Sequence, residues 1–178
     1  MQRIVVLGCT GSGKTTFGKK LALILGCPAV DLDELYWLPG WQGRETPDFR
    51  ARTAESAAGE RWVIMGNYSK VRDIVWNRAT TFIWLDYPFY LIFWQLCLRS
   101  VRRARDKTLI CNGNVETWRK LLLSKDSIVW WLCTTYRKRK REYGAVFDAG
   151  KAEPARYIRL RSRAEAAAFL DNLNPASV

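Results

Sequence analysis

Eight residues near the start, Gly8-Cys9-Thr10-Gly11-Ser12-Gly13-Lys14-Thr15, restrict this chain more than any other feature. They fit the pattern G-x-x-x-x-G-K-[ST], in which glycines let backbone N–H groups turn inward around a phosphate. The context agrees with the match. Arg3-Ile4-Val5-Val6-Leu7 reads as a short buried strand. Phe17, Leu21, Ile24 and Leu25 then share one helical face until Gly26 and Pro28 stop the helix. A helix N-terminus behind a glycine loop presents its dipole and its unpaired donors to an anion. Gly8, Gly11, Ser12, Gly13, Lys14, Thr15 and Thr16 are therefore the expected nucleotide-binding set. Lys14 is expected on the β/γ-phosphates and the Thr15 hydroxyl on Mg²⁺.

At 178 residues and 48% hydrophobic content, one domain with a substantial core is expected over residues 1–178. The absence of histidine excludes histidine bases and histidine metal ligands. Five cysteines form no C-x-x-C pair, so reduced thiols in a cytoplasmic protein are expected. The first strand begins almost at once, so no leader peptide is expected. The most apolar stretch, 82–98, is interrupted by Asp86, Pro88 and Gln95; it reads as a strand and an amphipathic helix, with no membrane span. The net charge of +12 is concentrated: residues 99–143 hold 13 Lys/Arg against 4 Asp/Glu. Anionic partners follow, either nucleotide phosphates or nucleic acid through the basic 99–143 segment.

Further candidates lie where later strands end. Ala29-Val30-Asp31-Leu32-Asp33 reads as a second strand ending in acid. In a parallel sheet such ends border the ligand crevice. Asp33 can hold a Mg²⁺-bound water, orient an acceptor hydroxyl and take its proton, or cap a helix starting near Glu34. Tyr36 belongs to an aromatic run, 35–41, that walls an acceptor pocket or covers the core. A helix from Thr46 to Ala58 precedes the strand Trp62–Met65 and the turn Gly66-Asn67-Tyr68-Ser69. Asn67 and Tyr68 can hydrogen-bond a substrate there, and Arg72 can bind an anion. The strand Thr80–Leu85 leads to a helix over 89–105 whose Arg99 and Arg103 share one face. These two arginines form either a solvated basic end or a clamp over developing charge. Cys111-Asn112-Gly113-Asn114 is expected as a lid tip, followed by helices over 116–123 and 127–143, a strand Tyr157–Leu160 and a helix from Ala164 to Leu173. The basic run 137–141 is either a solvated helix face or a contact for nucleic acid. Arg161 lies in the loop expected near the nucleotide base.

The phosphate loop, Asp33-Glu34-Leu35-Tyr36-Trp37, Gly66-Asn67-Tyr68-Ser69, Trp84-Leu85-Asp86-Tyr87-Pro88 and the arginine-bearing helix occur in that order. In this combination the chain resembles the bacterial adenylate-kinase-like P-loop proteins often labelled topology modulation proteins. The resemblance implies a three-layer α/β P-loop fold. Its five-stranded parallel sheet would be ordered 2-3-1-4-5, with helices on both faces and a basic helical lid over about 99–143. It implies ATP, Mg²⁺ and an unidentified phosphoryl acceptor. Lys14, Asp33, Arg99 and Arg103 would be catalytic. Lys14, Thr15, Arg99 and Arg161 would hold nucleotide, Thr15 and Asp33 the metal, and Asp33, Tyr36, Asn67, Tyr68 and Arg72 the acceptor. Met65 departs from the resemblance, because an acid that helps hold Mg²⁺ usually precedes Gly-Asn-Tyr. The expected activity is phosphoryl transfer to a small molecule or nucleotide. The alternative is a regulatory NTP-binding or ATPase protein acting on nucleic acid or a macromolecular partner.

Overall fold

Five short apolar runs pair side by side into one parallel sheet in the computed structural model, which describes residues 1–115, 127–150 and 154–173. They are β1 (Arg3–Gly8), β2 (Ala29–Asp31), β5 (Trp62–Met65), β6 (Thr81–Leu85) and β9 (Arg156–Leu160). The order β2-β5-β1-β6-β9 is the expected 2-3-1-4-5. Two small hairpins complete the strands among the described residues: β3 (Trp37–Leu38) with β4 (Gln42–Gly43), and β7 (Leu109–Ile110) with β8 (Asn114–Val115). The helices are α1 (Lys14–Leu25), α2 (Leu32–Tyr36), α3 (Thr46–Ser56), α4 (Arg72–Trp76), α5 (Phe89–Asp106), α6 (Ile128–Ala149) and α7 (Arg163–Asp171). The helix expected over 116–123 lies outside the described residues.

Side-chain alternation builds a core on each face of the sheet. Ile4, Val6, Val63, Met65, Ile83 and Leu85 face Phe17 and Leu21 of α1, Ile92 and Leu96 of α5, and Ala166 of α7. Val5, Leu7, Trp62, Ile64, Phe82 and Trp84 face Phe49 of α3 and Val75 of α4. α6 contributes to both cores: Leu132 packs on the first face, while Tyr143 and Phe147 pack on the second. Its middle turns must therefore cross the carboxyl edge of the sheet, where the phosphate loop lies. The long basic helix is held across the site by its two apolar ends.

Met65 is fully packed. A Cβ on Gly18 would lie 2.1 Å from its sulfur and 2.4 Å from its Cγ. The glycine lets α1 approach β5 that closely. Gly18→Ala should gain about 1 kcal/mol of helix propensity but lose more by overpacking, about 1–3 kcal/mol. A net loss of stability is expected in urea denaturation. Adding Met65→Ala should make the double variant more stable than the sum of the two single losses.

Candidate functional site

The site starts with the backbone of the glycine loop. Gly13 sits at φ 87°, a left-handed conformation that lets the chain turn straight into α1. The loop closes on itself through Ser12 N–H to the Cys9 carbonyl at 3.2 Å. The Ser12 hydroxyl is buried with no hydrogen-bond partner among the described residues. Lys14 Nζ donates to the Cys9 carbonyl at 2.9 Å and so lies along the loop. Burial holds the Lys14 ammonium below its usual value; Asp33, Cys9 and Asp31 oppose the shift, and Arg99 adds to it. Arg99 is thus close enough to the loop to act on its lysine. Gln95, also from α5, has its amide placed to donate to the Gly11 carbonyl at 2.9 Å and to accept from Arg163. Gly8, Gly11, Thr15 and Thr16 lie in the same strand-loop-helix unit.

The acid pair differs from the sequence expectation. β2 stops at Asp31, and Asp33 stands in the first turn of α2. Asp31 is the cap: one carboxylate oxygen accepts from Asp33 N–H at 3.0 Å. Its other oxygen accepts from the Thr15 hydroxyl at 2.7 Å. Thr15 is therefore joined to Asp31 and not to Asp33. Burial raises the Asp31 carboxyl above its usual range; Asp33 adds to this, while Thr15, the Asp33 N–H and Lys14 oppose it. In the sheet register Asp31 pairs with Met65, so the two side chains share the α1 face on adjacent strands.

Asp33 accepts from the Tyr68 hydroxyl. Burial and then the Asp33 charge push the Tyr68 phenol well above its usual value, so it stays a neutral hydroxyl that can donate to the carboxylate. Tyr36 packs at 4.9 Å from Tyr68 and 5.1 Å from Phe49, which joins the expected acceptor wall to the core. Asn67 and Arg72 are tied into a network. Asn67 donates to the Tyr143 hydroxyl at 3.3 Å and accepts from Arg72 at 3.2 Å. Arg72 also pairs with Glu142 and lies 4.5 Å over the Trp76 ring. The crevice between Leu32, Asn67, Tyr68, Arg72 and Trp76 has no room for a water molecule. These residues support the turn, while Tyr68 and Asp33 form its open edge.

Several site residues were not singled out by sequence reasoning. Asp86, at the end of β6, accepts two hydrogen bonds from Arg159, at 3.0 and 2.6 Å, and faces Lys140 at 3.6 Å. Arg139 and Lys140 both act on the Cys9 thiol, which burial raises overall. The middle of α6 therefore brings two cations to the loop. The signal was present as an i,i+3 pair, Arg139 with Glu142 at 3.2 Å, but it lay hidden in a run of five basic residues. Arg137, Lys138 and Arg141 are exposed, as a solvated face would be. Burial alone would raise Glu142, but Arg72 and Arg139 hold it below its usual value. Its folded pKa is depressed, so its contribution to stability is present above the ordinary carboxylate pKa and is lost as pH falls through the folded value. Glu142→Gln should cost about 1–3 kcal/mol at pH 7. The loss relative to the wild type should shrink as pH falls from about 5 towards 3, as read by urea denaturation across that window.

The expected lid also takes a different form. α5 is a core helix with Ile92, Leu96, Ser100 and Ala104 buried, so Arg99 and Arg103 stand on fixed scaffold. Beyond it, the β7–β8 hairpin is latched onto the aromatic run. Asn112 donates to the Glu34 carbonyl at 2.8 Å and the Trp37 carbonyl at 2.7 Å. Asn114 donates to the Leu38 carbonyl at 2.9 Å and accepts from Trp41 N–H at 2.7 Å. This places Cys111 beside the acids. Burial, then Asp33, Asp31 and Glu34, push its thiol up to about 11, with Arg103 opposing. Arg161 is exposed, and its N–H is held by Glu165 in a capping arrangement at the start of α7.

No family model matches the sequence, and no curated protein matches it. Solved structures match along nearly the whole chain. A shikimate kinase from Bacteroides thetaiotaomicron superimposes with a TM-score of 0.56 at 21% identity, covering 97% of this chain and 96% of that one. A gluconokinase from Sinorhizobium meliloti 1021 gives 0.52 at 17% identity, with 98% and 94% covered. A shikimate kinase from Acinetobacter baumannii in complex with shikimate gives 0.51 at 18% identity, with 97% and 90% covered. At these identities the likeness carries the fold alone, the five-stranded parallel sheet with helices on both faces that the chain shares with these solved structures. It does not reach the narrower topology-modulation family that the motifs resemble.

Proposed function

We propose that this chain transfers a phosphoryl group from Mg-ATP to a hydroxyl of a small-molecule acceptor. One observation carries the reading: the loop threonine is hydrogen-bonded to the acid that ends β2, while the next acid, Asp33, faces Lys14 and Tyr68. A phosphate cradle and an acid able to receive a proton thus stand side by side, as phosphoryl transfer needs. The described residues also fit a hard cation. Thr15 and Asp31 offer two oxygen donors at the end of the loop, and they would hold Mg²⁺. When bound, the ion would neutralise charge on the phosphate oxygens. Asp31 would take over, from the adjacent strand, the duty of the acid that Met65 displaces.

The remaining roles follow from position. Lys14 and the loop N–H groups would neutralise the transferring phosphate, with the orphaned Ser12 hydroxyl available to the same ligand. Arg99, Arg139 and Lys140 would meet the developing charge from above. Asp33 would orient the acceptor hydroxyl and take its proton, with Tyr68 fixing the carboxylate through its own O–H. Arg103 would act from the hairpin side. Arg161 remains a proposed nucleotide contact at the edge of the site. ATP consumption measured with Mg²⁺ against a panel of small hydroxyl compounds tests the reading. Stimulation by at least one compound, with its phosphorylated product, is expected; no stimulation across the panel would end it. The second reading, NTP-dependent action on nucleic acid, draws on exposed Arg137, Lys138 and Arg141. It requires binding to DNA or RNA that weakens steeply with salt.

A further inference from the structure

Two neighbouring helices keep large apolar side chains in water. On α5, Tyr90, Trp94, Leu98 and Val101 are 68%, 63%, 66% and 44% exposed. Their spacing of three and four residues sets them on one stripe. The opposite face of the same helix buries Ile92, Leu96 and Ser100. On α6, Trp130 and Trp131 are 56% and 54% exposed. The two helices run antiparallel, side by side. Tyr136 of α6 packs on Phe89 at the start of α5, with 5.2 Å between rings, and its hydroxyl donates to the Tyr87 carbonyl at 3.3 Å. Nearer the start of α6, Cys133 adds to the rise that burial gives the Cys97 thiol. Trp130 therefore falls beside the later turns of α5, and the two exposed sets adjoin. The four aromatic side chains expose roughly 300–600 Å² between them. With Leu98 and Val101 the patch reaches or exceeds the largest that soluble monomers usually carry.

The same helices select the charge of what covers this patch. From Tyr87 to Arg105 and from Ser127 to Arg141 the sequence has no Asp or Glu. Arg137, Lys138 and Arg141 are exposed on α6, further along than the tryptophans. Because the helices run oppositely, these cations come level with the aromatic end of the α5 stripe. Arg105 is paired with Asp106 at 2.7 Å and adds little, so the charge rests on the α6 cations. A second copy would bring +12 against +12 and oppose one basic face to another. Nucleic acid would match the charge but leaves Leu98 and Val101 without a use, since its interfaces are polar. A bilayer surface with anionic headgroups satisfies both halves. Trp and Tyr settle at headgroup level, aliphatic side chains enter the acyl boundary, and each Lys or Arg is drawn to negative lipid. No helix among the described residues is long and apolar enough to cross a membrane, so the contact lies along the surface.

We infer that the outer face of α5 and α6 docks this protein peripherally on an anionic lipid bilayer. The inference does not depend on the kinase reading and is tested without turnover. The full chain is sedimented with sucrose-loaded vesicles of phosphatidylcholine, alone or with about 30% phosphatidylglycerol. Partitioning onto the anionic vesicles should be at least about ten-fold stronger and should weaken as salt is added. Two variants separate the halves of the surface. Trp94→Ser combined with Leu98→Ser should lower the partitioning about ten-fold or more. It should keep wild-type ATP affinity and thermal midpoint, because both side chains stand in water. Arg137→Gln, Lys138→Gln and Arg141→Gln together should lower the partitioning by a similar factor. Failure of the wild type to sediment with anionic vesicles would overturn the inference. So would vesicle binding that the Trp94/Leu98 variant leaves unchanged. A dimer in sedimentation velocity that this variant dissociates, without vesicle binding by the wild type, would assign the patch to self-association instead. Binding to RNA or DNA that only the charge variant abolishes, again without vesicle binding, would assign the cations to nucleic acid and overturn the inference.

Discussion

Lys14→Ala should reduce phosphoryl transfer by a factor of at least about 10³ and weaken ATP binding about ten-fold or more. The ammonium lies along the loop on the Cys9 carbonyl, where a bound phosphate would replace the carbonyl as its partner. No other loop residue carries a charge, so the surrounding N–H dipoles cannot substitute for it. The same variant should not be less stable. Burial holds the lysine pKa below its unfolded value, so the folded protein carries a charge it would rather lose. That penalty is present at pH 7 and fades only as pH rises towards the ordinary lysine range. A thermal midpoint equal to or above wild type is expected alongside the lost activity. Calorimetric ATP titration and thermal unfolding, run on the same sample, check both halves. A destabilised variant would mean that Lys14 serves the fold and not the ligand.

Asparagine at the two acids should separate their duties. Asp33→Asn should leave Mg-ATP affinity within a few-fold of wild type while turnover falls by about 10²–10⁴, because the proton acceptor is gone. Asp31→Asn should instead raise the Mg²⁺ needed for half-maximal nucleotide binding by ten-fold or more. It should also stabilise the ligand-free protein at pH 7 by about 0.5–2 kcal/mol, as removal of a charge kept for function commonly does. The sign follows from the raised Asp31 pKa. A carboxyl whose folded pKa lies above its unfolded value favours folding at low pH, and that contribution is lost as pH rises through the folded value. The gain from Asp31→Asn should therefore disappear below about pH 4, near the unfolded pKa of an aspartate. Identical Mg²⁺ titrations for Asp31→Asn and wild type would remove Asp31 from the metal site.

The two acids also show where sequence reading reaches its limit. That carboxylates end the second strand was legible, because an apolar run stopped by acid is a local pattern. Which of them faces Thr15 was not. A single residue of strand length moves a side chain to the other face, and β2 ends two residues earlier than its pattern suggested. Met65 behaves in the same way. Its departure from the resemblance was plain, but the reason it is accommodated, the empty space over Gly18, belongs to another element.

From local patterns in the sequence came the phosphate loop, the five strands and the placing of Asp33, Asn67 and Tyr68 near strand ends, while the order of the strands in the sheet came only from the family resemblance. These rest on signals that span a few residues: glycines free to take positive φ, two-residue alternation, and helix stops such as Gly26. Only the tertiary structure decided which charges meet. Asn67 finds Tyr143 76 residues away, Asp86 finds Arg159 73 residues away, and Asn112 finds Trp37 75 residues away. Such pairs are set by how α6 is drawn across the sheet edge by Leu132 at one end and Tyr143 and Phe147 at the other. A run of like charges has no periodicity to say which members turn inward. The packing of its flanking apolar residues half-buries Arg139 beside Glu142 and sets Lys140, itself exposed, opposite Asp86, while Arg137, Lys138 and Arg141 stay in water.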